Sequence, residues 1–123
     1  MERAHKHTVL VVENDQLQRE LISLIFEESD MHVIQCFSAE AAAVVLERAG
    51  SDLTMMFTDV DLDGDGVGLV RGATERFPHI DMIVTSEQDL DDIPDSVLFM
   101  PKPWLPLALL REAERSCQRH ALH

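Results

Sequence analysis

Thr8-Val9-Leu10-Val11-Val12-Glu13-Asn14-Asp15 is the stretch whose reading decides the fold. Its first five residues are β-branched or apolar without polar alternation, the pattern of a strand buried on both faces. The run breaks abruptly into three polar residues, as a strand does when it leaves the core for a loop at the sheet's edge. Directly after it, from Gln16 to Glu28, Leu17, Leu21, Leu24 and Ile25, with Ile22 beside them, recur at helical spacing, and Asp15 stands where an N-cap is needed. A strand, an acidic loop and a helix therefore open the chain.

The same unit recurs outward from there. His32 to Cys36 reads as a second strand, and Ser38 with Glu40-Ala41-Ala42-Ala43 opens a helix that runs to about Ala49, where Gly50 stops it. Leu53 to Thr58 is a third apolar run ending on acids. After the loop from Asp59 to Gly66, a helix is predicted from Val67 to Arg76, ended by Pro78. Ile80 to Val84 makes a fourth strand closed by Thr85-Ser86, and Val97 to Met100 a fifth. Leu105 to His120 carries Leu107, Leu110 and Ala113 on one helical face.

Five βα units in series imply an α/β fold: a parallel sheet with helices on both sides, a doubly wound three-layer sandwich of flavodoxin-like order 2-1-3-4-5. Glu87 to Ser96 is the exception. It holds only Leu90 and Ile93 as large apolar residues, against Asp89, Asp91, Asp92, Asp95 and Pro94, so a short or irregular fourth helix is expected.

The 123 residues suffice for one core, so a single domain over 1–123, with its core at about 8–120 and no output domain, is expected. A formal charge of -13, from 23 acids against 10 Lys and Arg, repels phosphate backbones and anionic headgroups, which argues against nucleic-acid or membrane partners. Cys36 and Cys117 are distant and form no CxxC pair, which suits reduced thiols in the cytoplasm. No stretch approaches the roughly 20 apolar residues of a membrane span, and the first residues do not read as an export signal.

In such folds, ligands bind beyond the carboxyl ends of the strands. That rule gathers Glu13, Asn14 and Asp15 after strand one, Asp59 after strand three, Thr85 and Ser86 after strand four, and Lys102 after strand five. Oxygen ligands of this kind suit Mg²⁺, while a lysine and a hydroxyl can hold phosphoryl oxygens.

The chain resembles the receiver domains of bacterial two-component response regulators, of the stand-alone CheY-like kind, from Val9 to about Glu114. The matching pieces are Val-Leu-Val-Val-Glu-Asn-Asp at 9 to 15, Thr-Asp-Val-Asp-Leu at 58 to 62, Asp-Gly at 65 and 66, Ile-Val-Thr-Ser at 83 to 86 and Phe-Met-Pro-Lys-Pro at 99 to 103. The resemblance implies that Asp59 accepts a phosphoryl group from a histidine kinase or a histidine phosphotransfer protein. It implies a Mg²⁺ site from Glu13, Asn14, Asp59 and the backbone carbonyl of Asp61, with Asp15 and Ser86 as auxiliaries. Thr85 and Lys102 would bind the phosphoryl group, Phe99 would be the aromatic switch, and the Lys102-Pro103 bond is commonly cis in the family.

It further implies a signalling protein rather than an enzyme, at most self-catalysing its phosphorylation and dephosphorylation. Its output would go to another protein, and a homodimer through the fourth helix, fifth strand and fifth helix is a further expectation. Three departures stand out: Asn14 in place of a second acid, a shortened loop with Asp63 where Pro is usual, and a shortened fourth-helix region. They support an alternative, a phosphorylation-independent pseudo-receiver acting as an interaction module.

Two other motifs fail on their context. Asp59-Val60-Asp61-Leu62-Asp63-Gly64 begins like an EF-hand calcium loop, but its twelfth position is Val70 rather than Glu and its eighth is Gly66. A flavodoxin-like nucleotide binder would need a Gly-rich loop after strand one, where Glu13-Asn14-Asp15 stands instead. The Arg111, Arg115, Arg119 stripe reads as a solvated face with local ion pairs, and the histidines as surface residues.

Overall fold

A computed structural model describes residues 7–62 and 64–121. Asp63, His5 and His123 lie outside the described residues. The strands are β1 (Thr8–Val12), β2 (His32–Cys36), β3 (Met55–Asp59), β4 (Asp81–Ser86) and β5 (Leu98–Pro101), and the helices α1 (Gln16–Glu28), α2 (Ala39–Ala49), α3 (Gly66–Arg76) and α4 (Pro106–Ala121). All strand pairs are parallel, in the order β2-β1-β3-β4-β5. The expected flavodoxin-like sandwich is thus present.

The strand period of two sorts the core into two layers. Val9, Val11, Met55, Phe57 and Ile83 face α1 and α4, where they meet Ile22, Phe26, Leu109 and Ala113. Leu10, Val12, Met56, Met82 and Val84 face the other way, onto Ala42, Leu46, Val70 and Ala73 of α2 and α3. Because both faces are covered, β1 shows no polar alternation.

Three expectations are corrected. First, α1 does not bury the row Leu17, Leu21, Leu24. Leu17 is 76% and Leu24 59% exposed, whereas Ile22, Ser23, Ile25 and Phe26 are buried. The helix has two apolar stripes, and the one carrying Phe26 wins because that ring meets Phe57 edge-to-face, centroids 6.3 Å apart. Second, α4 buries Leu109, Ala113 and Ser116 and leaves Leu107 exposed. Third, His7 and His120 are half-buried rather than on the surface; their rings meet edge-on, and His120 Nε2 lies 3.3 Å from the Asp81 carboxylate.

Residues 87–97 form no helix, so the expected short or irregular fourth helix is an irregular segment. Its two large apolar side chains, Leu90 and Ile93, pack as plugs against the α2 and α3 layer. Arg71 of α3 donates to the Asp92 carbonyl (3.2 Å) and pairs with the Asp92 carboxylate. Four aspartates and a proline cannot sustain a helix there, but two plugs and one arginine can fasten a loop. Arg115 pairs with Glu112 and Arg119 with Asp81, as a face with local ion pairs should. Among the described residues no helix is long and apolar enough to cross a membrane.

Candidate functional site at the carboxyl ends of the strands

The register places the site. Met55 to Asp59 pairs with Asp81 to Thr85, so Asp59 lies beside Thr85 where both strands end. Backbone bonds from Val60 N–H to Thr85 O (3.1 Å) and from Lys102 N–H to Ser86 O (2.9 Å) extend the ladder into the loops and hold three strand ends together. Gly66 lets α3 start close to β3: a Cβ there would stand 3.1 Å from the Val60 Cα. Asp65 caps that helix by accepting from Gly68 N–H (2.9 Å), and Asp15 caps α1 by accepting from Leu17 N–H (3.2 Å).

Asp59 is 3% exposed. Its Oδ1 accepts from Asp61 N–H at 2.8 Å and its Oδ2 from Lys102 Nζ at 2.7 Å. Glu13 is likewise buried, and its Oε2 accepts from Asp15 N–H at 3.1 Å. Burial pushes the Glu13 carboxyl above the usual range, and the charge and hydrogen bond of Asp59 push the same way. The Asp15 N–H and the Lys102 ammonium pull it back without cancelling the rise. Burial alone would lower Lys102, but its hydrogen bonds to Asp59 and Asp61 and their charges raise it.

The Thr85 hydroxyl is buried and has no hydrogen-bond partner among the described residues, although Thr85 lies directly beside Asp59. An orphaned hydroxyl at this depth costs about 1–3 kcal/mol unless a ligand takes it up. Glu13, Asn14, Asp59, Lys102 and Trp104 line an open cleft of 490 Å³ above these groups.

Other expected residues are placed differently. Asn14 and Asp15 are exposed at the rim, Asp15 with one oxygen on its helix cap. Phe99, half-buried opposite Val84 in the ladder, packs in the α2 and α3 layer. Ser86 donates to Asp61 Oδ1 at 2.7 Å. The Lys102-Pro103 bond is cis.

The Asp61 side chain was missed, having been assigned only a backbone carbonyl. Its Oδ2 accepts from Glu87 N–H (2.8 Å) and Lys102 Nζ (3.0 Å), in addition to the Ser86 bond on Oδ1. Burial raises the Asp61 carboxyl, but the three donors and the ammonium charge outweigh it and hold the group below the usual carboxylate range. Its place in the turn directly after Asp59, where β3 ends, was the available signal. Trp104 was also missed. Its ring meets Phe57 edge-on at 5.8 Å and walls the cleft.

The donor set fits a hard divalent cation, though sparsely. Glu13 and Asp59 are neighbouring buried carboxylates whose mutual repulsion a cation would relieve. Among the described residues, no three His, Cys, Asp or Glu side chains are grouped to hold a metal by themselves. The remaining ligands would be the Asn14 amide, the Asp61 carbonyl and water.

No protein-family model and no curated protein matches the sequence. Solved structures do match. A response regulator receiver domain protein from Clostridium thermocellum superposes with a TM-score of 0.82 at 17% identity, over 94% of this chain and 98% of the other. A response regulator from Thermotoga maritima gives 0.75 at 20% identity, over 92% and 98%. The receiver domain of DrrB in its BeF3-activated form gives 0.76 at 19% identity, over 92% and 98%. With the sheet order, the ends of β1, β3, β4 and β5 around one acidic cleft and these superpositions in agreement, the chain has the fold of the response-regulator receiver domains.

Proposed function

We propose that the chain is the phosphoacceptor receiver of a two-component phosphorelay, with Asp59 as acceptor. An Asp59 oxygen attacks the phosphorus of a phosphohistidine, the P–O bond forming as the P–N bond breaks and the imidazole leaves with the electron pair. Lys102 neutralises the incoming charge and the Thr85 hydroxyl donates to a phosphoryl oxygen. Glu13, Asn14, Asp59 and the Asp61 carbonyl would hold Mg²⁺, which when bound supplies positive charge to the phosphoryl oxygens. The observation that carries this reading is the buried Thr85 hydroxyl, unpartnered beside an Asp59 already bonded to Lys102.

The donor is a sensor histidine kinase or a histidine phosphotransfer protein. The exposed row Leu17, Leu21, Leu24 supports its docking on α1, since Leu21 also lines the cleft. As a cytoplasmic receiver the chain signals through protein–protein contacts, and 87–97, β5 and α4 form the face proposed for a partner or for a second copy. It turns over no substrate beyond its own acyl phosphate.

The test uses beryllofluoride with Mg²⁺, which builds a phosphoryl mimic on a receptive aspartate. Amide signals around Thr85 and Phe99 shift in the wild type and stay put in Asp59→Asn. An unchanged wild-type spectrum at saturating reagent refutes the reading and favours a pseudo-receiver, the alternative that Asn14 supports. Such a module would bind its partner equally well after Asp59 is replaced.

A further inference from the structure

The Asp61 carboxylate is an anion already seated at the end of β4. Three donors converge on it: the Ser86 hydroxyl, the Glu87 N–H and the Lys102 ammonium, at 2.7, 2.8 and 3.0 Å. The same ammonium lies 2.7 Å from Asp59 Oδ2, so one cation is divided between two carboxylates. Ser86 Oγ in turn accepts from Gln88 N–H at 3.0 Å, which makes the turn from Ser86 to Gln88 depend on where Asp61 sits. That turn opens the helix-free segment 87–97, whose other fastenings, Leu90, Ile93 and Arg71 with Asp92, lie further along.

Resting on the phosphoacceptor reading, we propose that Asp61 is a latch. In the unmodified protein its carboxylate holds Lys102 and the Ser86–Gln88 turn, and a phosphoryl group on Asp59 takes Lys102 away and releases that turn. A phosphoryl group carries about 1.5 to 2 negative charges against one on Asp61, so it wins the competition for the ammonium. The same charge repels the Asp61 carboxylate across a short gap inside a partly desolvated cleft. No bond is made or broken in the release; only hydrogen bonds exchange. Because no helix stiffens residues 87–97, the loss of one anchored carboxylate reaches the segment directly.

The test is amide hydrogen exchange and beryllofluoride titration with Mg²⁺ on the whole chain, wild type against Asp61→Ala and Ser86→Ala. In the unliganded wild type the Glu87 amide is protected, and the reagent speeds its exchange by roughly tenfold or more, as expected for a local opening. In Asp61→Ala the amide exchanges fast before any reagent is added, and beryllofluoride binds roughly tenfold more tightly because no competing state has to be displaced. Ser86→Ala removes one donor to Asp61 and the acceptor of Gln88 N–H, so the Gln88 amide exchanges fast before any reagent is added; it serves if Asp61→Ala does not fold, and unchanged Gln88 exchange there counts against the latch. An unprotected Glu87 amide in the wild type, or beryllofluoride binding no tighter in Asp61→Ala, overturns the latch. If the wild type binds no beryllofluoride, the phosphoacceptor reading falls and the release with it. Loss of Glu87 protection in Asp61→Ala would then establish the resting contact by itself.

Discussion

Replacing Lys102 by Met removes the ammonium while keeping an unbranched stem of similar length, so the change isolates the charge. Two contacts are lost, and they differ in weight. Asp59, with a side chain 5% exposed, forfeits a charge-assisted bond of about 1.5–3 kcal/mol, partly offset because Asp61 N–H still donates to it. Asp61, 28% exposed and still held by Ser86 and Glu87 N–H, forfeits about 0–1 kcal/mol. The sum, reduced by the freedom the side chain regains, is about 2 kcal/mol, which for a domain of this size lowers Tm by about 5–10 °C.

Urea unfolding of both proteins with EDTA present, at a series of pH values, measures this difference. Lys102 is raised above its ordinary 10.5, so its contribution is fully present below 10.5 and disappears as pH climbs through the higher folded value. Asp61 is lowered below 3.8, so its share is present above 3.8 and lost as pH falls through the lower folded value. The gap between wild type and Lys102→Met is therefore widest between these limits and narrows on both sides. A gap below about 0.5 kcal/mol at neutral pH, the size of an ordinary surface substitution, refutes the assignment of Lys102 as a structural counter-ion. So does a gap that persists unchanged into strong alkali.

Two further outcomes test the packing by the same denaturation assay. Ile25→Ala, on the stripe of α1 that faces the sheet, should cost about 2–4 kcal/mol, whereas Leu21→Glu, on the exposed stripe, should stay within about 0.5 kcal/mol and impair phosphotransfer from a donor protein instead. Gly50→Ala should cost about 1–3 kcal/mol, because the new methyl would stand 2.4 Å from the Phe77 ring; a neutral result would mean that the ring swings aside freely.

Much of the architecture was legible because its signals are local. An unbroken apolar run such as 8–12 can be satisfied only by cover on both faces, and an acidic loop at its end marks where the strand leaves that cover. The poor helix content of 87–96 was also visible, since Pro and Asp disfavour a helix whatever surrounds them. Asp59, Thr85 and Lys102 were identified by a fold-level rule about strand ends, and the register then brought Thr85 and Lys102 to Asp59.

What sequence could not decide was which partner each surface would meet. On α1, two apolar stripes have equally good helical spacing, and only Phe57, coming from a strand far along the chain, selects the one carrying Phe26. Asp61 stands in the turn after β3, where its donors Ser86, Glu87 and Lys102 lie 25, 26 and 41 residues away, and nothing near Asp61 specifies them. Periodicity reports how a segment must divide its own faces, because backbone geometry sets that within a few residues. Which face finds a core, and which carboxylate finds a cation, depends on chain segments that only the folded sheet brings within a few ångströms of each other.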